Sequence, residues 1–212
     1  MSNVYYIPID NIKMAMKQEL EKLKNYCKEA KRILQEQQDP SPIAGWAREI
    51  IAYGREVIAD EALDEQTLAD VYLVLVEITD KVYEHPRLLL QLKQLAYDLV
   101  VRGEQMTHET YPIKDDFREE IDALQTNIQA ADEGRWEAIR DDHMLASDPV
   151  EWTKEYEQII DEVDREAYAH LEGSPRGMGF CFGYWAEKEA ALARRGIRWR
   201  SPSSMNPGVM FD

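Results

Sequence analysis

The sequence predicts an all-α protein: an irregular helical bundle of five to seven helices, with a non-helical aromatic and basic C-terminal segment packed on it. Three observations predict it. Apolar residues recur at steps of three and four along six segments, the spacing of one helix face. Prolines, glycines and capping acids fall between those segments. The run Val71 to Val76, which alone could pass for a buried strand, lies inside a longer helical pattern.

Ile12, Met16, Leu20, Leu23, Cys27, Ala30 and Leu34 form the first stripe, with Asp10 as the expected N-cap. Asp39-Pro40-Ser41-Pro42 ends that helix, because proline lacks the donor and biases the residue before it away from helical angles. Ser41 is expected to cap the second helix with Pro42 in its first turn. The apolar set there is Ile43, Trp46, Ile50, Tyr53 or Gly54, Val57 and Ile58. Asp64 is placed as cap of a third helix along Leu68, Val71, Tyr72, Leu75, Ile78, Thr79 and Val82.

After His85-Pro86 the period resumes through Leu89, Leu92, Leu95, Ala96, Leu99 and Val100, and Gly103 is expected to close that helix. A fifth follows along Phe117, Ile121, Leu124, Ile128 and Ala131. Ser147-Asp148-Pro149-Val150-Glu151 reads as a capping box starting a sixth, with Trp152, Tyr156, Ile159, Val163, Ala167 and Leu171 inward and Asp161, Glu162, Asp164 and Glu166 toward water. Then the texture changes. Gly173, Gly177, Gly179 and Gly183 sit among Met178, Phe180, Phe182, Tyr184 and Trp185, which predicts a packed loop, followed by a short helix to about Arg195 and an aperiodic tail. One helical domain spanning 1–212 is expected, with 10–173 as its core and 174–212 as loop, short helix and docked tail.

Of the 212 residues, 44% are hydrophobic and 31% charged, which supports a real core and excludes disorder over the whole chain. No apolar run approaches the roughly 20 residues that cross a bilayer. The first ten residues lack a basic and apolar export signal, and cysteine is sparse, so cytoplasmic residence without membrane association is expected. The formal net charge is −16. Residues 106 to 173 carry −14 of it and residues 174 to 212 carry +3. Nucleic-acid binding by the acidic stretch is disfavoured, because phosphate recognition needs clustered Lys and Arg. The basic tail is expected to fold back on the acids.

Two acid pairs invite a metal reading. Glu61-x-x-Asp64 and Glu77-x-x-Asp80 on neighbouring helices could hold Mg²⁺ against a nucleotide's phosphates. With Asp70-Val71-Tyr72-Leu73 they resemble the acid motifs of all-helical nucleotide pyrophosphohydrolases, although Thr67 stands where that family has an acid. The resemblance implies a Mg²⁺-dependent hydrolase, and no other cofactor is expected. Glu104 with His108 and Glu166 with His170 are i, i+4 pairs, read as helix-surface charges; Asp141, Asp142 and His143 would need a loop to converge. There is no GxSxG elbow, and the glycines from Gly177 to Gly183 do not fit a dinucleotide fingerprint.

The C-terminus is richer. Trp199 and Phe211 ask for burial, and with Trp185, Arg198 and Arg200 they are the candidate interaction residues, since Trp and Arg are enriched as anchors. Cys181-Phe182-Gly183-Tyr184-Trp185, Gly196-Ile197-Arg198-Trp199-Arg200-Ser201-Pro202 and Asn206-Pro207-Gly208-Val209-Met210-Phe211-Asp212 resemble the C-terminal signature of small uncharacterised bacterial proteins of Bacteroidetes and mobile elements. Phe182 replaces the His expected after the Cys, and the resemblance implies no particular activity. The expected role is a noncatalytic accessory or protein-interaction protein, binding a protein partner or self-associating through the first helical stripe. The alternatives are the metal-dependent hydrolase and an acidic nucleic-acid-mimicking decoy, for which acids from 115 to 166 would form one exposed stripe.

Overall fold

The computed structural model describes residues 9–140 and 145–211, with side chains from residue 14 onward. It is all-α. The described residues form α1 (Ile9–Gln35), α2 (Pro42–Ala59), α3 (Glu65–Thr79), α4 (Pro86–Thr107), α5 (Ile113–Asp132), α6 (Lys154–His170), α7 (Phe180–Arg194) and α8 (Pro202–Met205), with 3₁₀ turns at Trp136–Ala138 and Pro149–Trp152 and no strand. Asp10 and Ile12 have side chains outside the described residues, as do Asp141, Asp142 and His143.

The first five helices share one apolar core. Leu20, Leu23, Cys27 and Ala30 of α1 are buried against α2 and α3, so most of the stripe proposed for self-association is covered within the chain. α4 is the central element, touching α2, α3 and α5. Its Leu92, Leu95 and Leu99 are sealed from water, and burying each such side chain favours folding by roughly 1.5–3 kcal/mol. Two glycines let these helices approach. A Cβ on Gly54 would lie 2.8 Å from Leu95 Cδ2, and one on Gly103 3.2 Å from Leu68 Cδ2. Gly103 is therefore a packing residue inside α4 and not its end; His108, in the left-handed conformation, closes the helix. Ser41 also departs from its expected role: its side chain makes no capping bond, and Asp39 instead accepts from Ser41 N and Oγ, both at 2.9 Å. Asp64 does cap α3, accepting from Thr67 N at 2.8 Å.

A smaller second core joins α6, α7 and the tail through Tyr156, Ile160, Val163, Ala191, Leu192 and Trp199. The predicted sixth helix is split. Asp148 accepts from Val150 N and so caps a 3₁₀ turn, after which Thr153 accepts from Tyr156 N and starts α6. Asp148 also anchors the tail, its second oxygen accepting from Arg200 N and Nε at 2.9 Å each. α7 begins at Phe180, so Cys181 to Gly183 are helical and the glycine-rich loop is shorter than expected, turning on Gly177 and Gly179 at positive φ. The tail is not wholly irregular either. Ser201 Oγ accepts from Ser204 N and caps α8, a single turn.

The tail lies on its own chain. Arg194 and Arg195 pair with Glu166, Arg195 reaches Glu162, and Arg200 holds Asp148. Unlike charges separated along the sequence thus neutralise each other. Polar bonds also join the two cores. Glu157 accepts from the backbone N of Arg87 and Leu88 at the start of α4, where orphan donors need an acceptor, and Asp161 takes His85 Nε2 at 2.9 Å.

Candidate functional site

The densest chemistry lies in that seam. Lys188 of α7 is only 1% exposed, and its ammonium donates to both carboxylate oxygens of Glu84 and, at 3.2 Å, to Tyr184 Oη. Asp164 stands 3.8 Å from the ammonium and accepts from Tyr184 Oη at 2.6 Å. Tyr156 Oη donates to Glu84 at 3.1 Å, and Trp199 Nε1 to Glu151 at 2.6 Å. The rings of Tyr156, Tyr184 and Trp199 surround the ammonium at 5.7, 5.3 and 5.1 Å, supplying the cation–π contacts of a desolvated site. Glu84 enters this cluster with φ +60, a left-handed backbone that costs a non-glycine residue about 1–2 kcal/mol. Three hydrogen bonds from two groups, Tyr156 Oη and Lys188 Nζ, hold it there.

Three carboxylates around one ammonium leave an excess of buried negative charge. Burial pushes the Glu151 carboxyl up to about 7, helped by Glu84, and pushes Asp164 up to about 6 against the pull of Lys188. Burial lowers the proton affinity of Lys188, but Glu84 and Asp164 outweigh it and hold the ammonium charged. Tyr156 and Tyr184 are held well in their neutral forms by desolvation and by the neighbouring carboxylates. A catalytic acid and base would need such values, but catalysis also needs access. Glu84, Glu151, Asp164 and Lys188 stand behind the large cleft and do not line it. The cluster joins elements.

None of these four was among the expected site residues. The signal was present. Asp164 follows Tyr156 and Ile160 at steps of four, and Lys188 follows Tyr184 at the same step, so both occupy buried stripes; charge alone had assigned Asp164 to water. Glu151 had been absorbed into a capping box. Glu84 carries no local signal, since its role arises from partners 72 and 104 residues away.

The expected metal residues are separated. Glu61 and Asp64 precede α3, while Glu77 and Asp80 stand at its other end, roughly 20 Å away at 1.5 Å per residue. They lie at the two ends of one helix and not on two neighbours. Glu104 turns to Lys114 and Tyr111 N, and Glu166 turns to two arginines while His170 takes Glu187. Among the described residues, no group of three or more His, Cys, Asp or Glu could hold a metal ion. The acids from 115 to 166 do not form one exposed stripe, because Glu157 and Asp164 point into the seam and Asp148 is buried against Arg200 of the tail.

Of the expected interaction residues, Trp199 is buried in the second core and Arg200 is tied to Asp148. Trp185 is half-buried between Phe182 and Phe211, meeting both edge to face at 5.4 and 5.1 Å, while Arg198 is exposed. The tail's anchors are largely committed to their own chain.

A cleft of about 860 Å³ lies between the end of α3, the face of α5 and the Pro149–Trp152 turn. Val82, Leu124 and Trp152 give it apolar walls, and Tyr83 stands beside it 60% exposed. Its walls share residues with the seam in an alternating way. Tyr83 and Trp152 line the cleft, while their chain neighbours Glu84 and Glu151 enter the buried cluster. Asn127 fixes the far end, donating to Arg140 O at 2.6 Å and accepting from Arg140 N at 2.9 Å. Asp80 belongs to this cleft, away from Glu61 and Asp64.

No family model, curated protein or solved structure matches this chain. No helix among the described residues is long and apolar enough to cross a membrane.

Proposed function

We propose that this chain is a noncatalytic interaction protein of the cytoplasm that receives a protein partner in the cleft between the α3–α4 turn and α5. The observation that carries the reading is the contrast between cleft and cluster. The groups with raised proton affinities, Asp164 buried and Glu151 partly so, are spent on hydrogen bonds that join the elements of the second core. The accessible cleft offers what recognition needs: apolar walls, an exposed aromatic at Tyr83, and a polar rim. Its volume lies within the range of binding pockets that are largely formed before the ligand arrives. The seam gives it rigid walls, because displacing Tyr83 or Trp152 would pull on Glu84 or Glu151.

A photo-crosslinking side chain at position 83, compared in the native cell with the same group at the exposed Glu56 on α2, tests this directly. A discrete adduct from position 83 that is absent from position 56, and that is lost when Ala123→Trp narrows the cleft, is the expected outcome. Equal adducts from both positions, or none from position 83, would remove the reading.

A further inference from the structure

Building on the cleft as the docking site, we infer that its occupant is a basic amphipathic protein segment, with one or more apolar side chains inserted and Lys or Arg flanking them. The rim decides the sign. Asp80, Glu120, Asp122 and Glu137 border the cleft against Lys93 and Arg140. Lys93 and Glu120 offset each other, bonded at 2.8 Å with Lys93 over the Phe117 ring at 5.6 Å, which leaves Asp80, Asp122 and Glu137 against Arg140. What an arriving partner meets is therefore an acid-dominated rim around an apolar floor.

The surroundings reinforce it. α5 also displays Asp115, Asp116 and Glu119 at its exposed start, and the chain as a whole carries −16. Such a field accelerates the approach of cationic partners and repels phosphate-bearing ones, nucleic acids and anionic lipid surfaces included. Charge alone would hold a partner loosely and without register. The apolar floor supplies the register: Leu124 and Val82 are buried at its base, while Tyr83 and the half-buried Trp152 offer aromatic faces to an inserted side chain. Apolar anchors ringed by charge are how an amphipathic helix sits in a groove. Lys or Arg beside those anchors would face Asp122 and Glu137, for which no ion pair is formed within the described chain.

The test uses the full chain and two fluorescent peptides of about 14 residues, one alternating Leu and Lys at helical spacing and one Leu and Glu, read by anisotropy. The basic peptide is expected to bind, with affinity falling as salt is raised, and the acidic peptide to leave the signal unchanged. The double variant Asp122→Lys/Glu137→Lys should weaken the basic peptide about tenfold or more, while Asp116→Lys/Glu119→Lys, the same change in charge on α5 but outside the cleft, should cost less than about threefold. Equal losses in the two variants would show attraction to overall charge and overturn the inference. No binding, or preference for the acidic peptide, would overturn it as well. A crosslinked adduct from position 83 would then still uphold the cleft as a docking site, whereas loss of that adduct would end the docking reading itself.

Discussion

Leu92 and Lys188 are both sealed from water, one in each core, and opposite forces keep them there. Leu92 gains from burial as such, since every apolar neighbour that excludes water favours the fold. Lys188 loses hydration worth several kcal/mol and recovers it only because two carboxylates, a phenol and three aromatic rings stand in the right places. An apolar core tolerates small shifts. A buried ammonium does not. The five-helix unit is thus held by area, and its join to α6, α7 and the tail by geometry, which is what the wall of a binding cleft requires.

Removing the cation should break the comparison most sharply. Lys188→Met leaves Glu84 and Asp164 buried without it and is expected to cost about 3–5 kcal/mol in urea unfolding, whereas Lys188→Met with Glu84→Gln should recover more than half of that loss. In the other core, Leu92→Ala should cost about 2–4 kcal/mol, with no second substitution among polar residues able to restore it.

Acidity separates the two regions next. Glu151 and Asp164 have proton affinities raised above their ordinary 4.5 and 3.8, so their contribution is fully present below about pH 4 and is lost as pH rises through about 6 and about 7. Glu151→Gln keeps an oxygen for Trp199 Nε1 but cannot ionise. It should match the parent near pH 5 and exceed it by roughly 2 kcal/mol at pH 8 in thermal or urea unfolding. A parent and variant that track each other across that range would contradict the assignment. At the start of α6, Thr153→Ala removes the cap on Tyr156 N and should cost about 1 kcal/mol. Smallest of all, Tyr83→Ala should change stability by less than about 0.5 kcal/mol, as befits an exposed side chain, while weakening a cleft-bound peptide.

The helices were legible because their apolar period is a local property. The stripe from Leu20 to Ala30 and the set from Leu68 to Thr79 need only the preceding turn to be recognised, and all but the partly buried Tyr72 are buried as their spacing implies, while Val82, expected on the same helix, lies beyond its end. Helix ends were less so. Gly103 looks like a terminator along the chain, yet its missing side chain makes room for Leu68 of α3, which local pattern does not reveal. Asp148 and Glu151 form a sound capping motif, and distant donors, Arg200 and Trp199, take one oxygen of the first and all of the second's role. The cluster was hidden for the same reason. The stripes place Lys188 and Asp164 inward, but Glu84 and the pairing itself appear only when the fold brings the α3–α4 turn, α6 and α7 together.

Hydrogen exchange of Lys188→Met, read helix by helix at pH 7, addresses the division between area and geometry most directly. Faster exchange confined to residues 145–211, with the amides of α2, α3 and α4 as protected as in the parent, is the expected result. A uniform loss of protection along the chain, or none in α6 and α7, would contradict a join that depends on one buried ammonium.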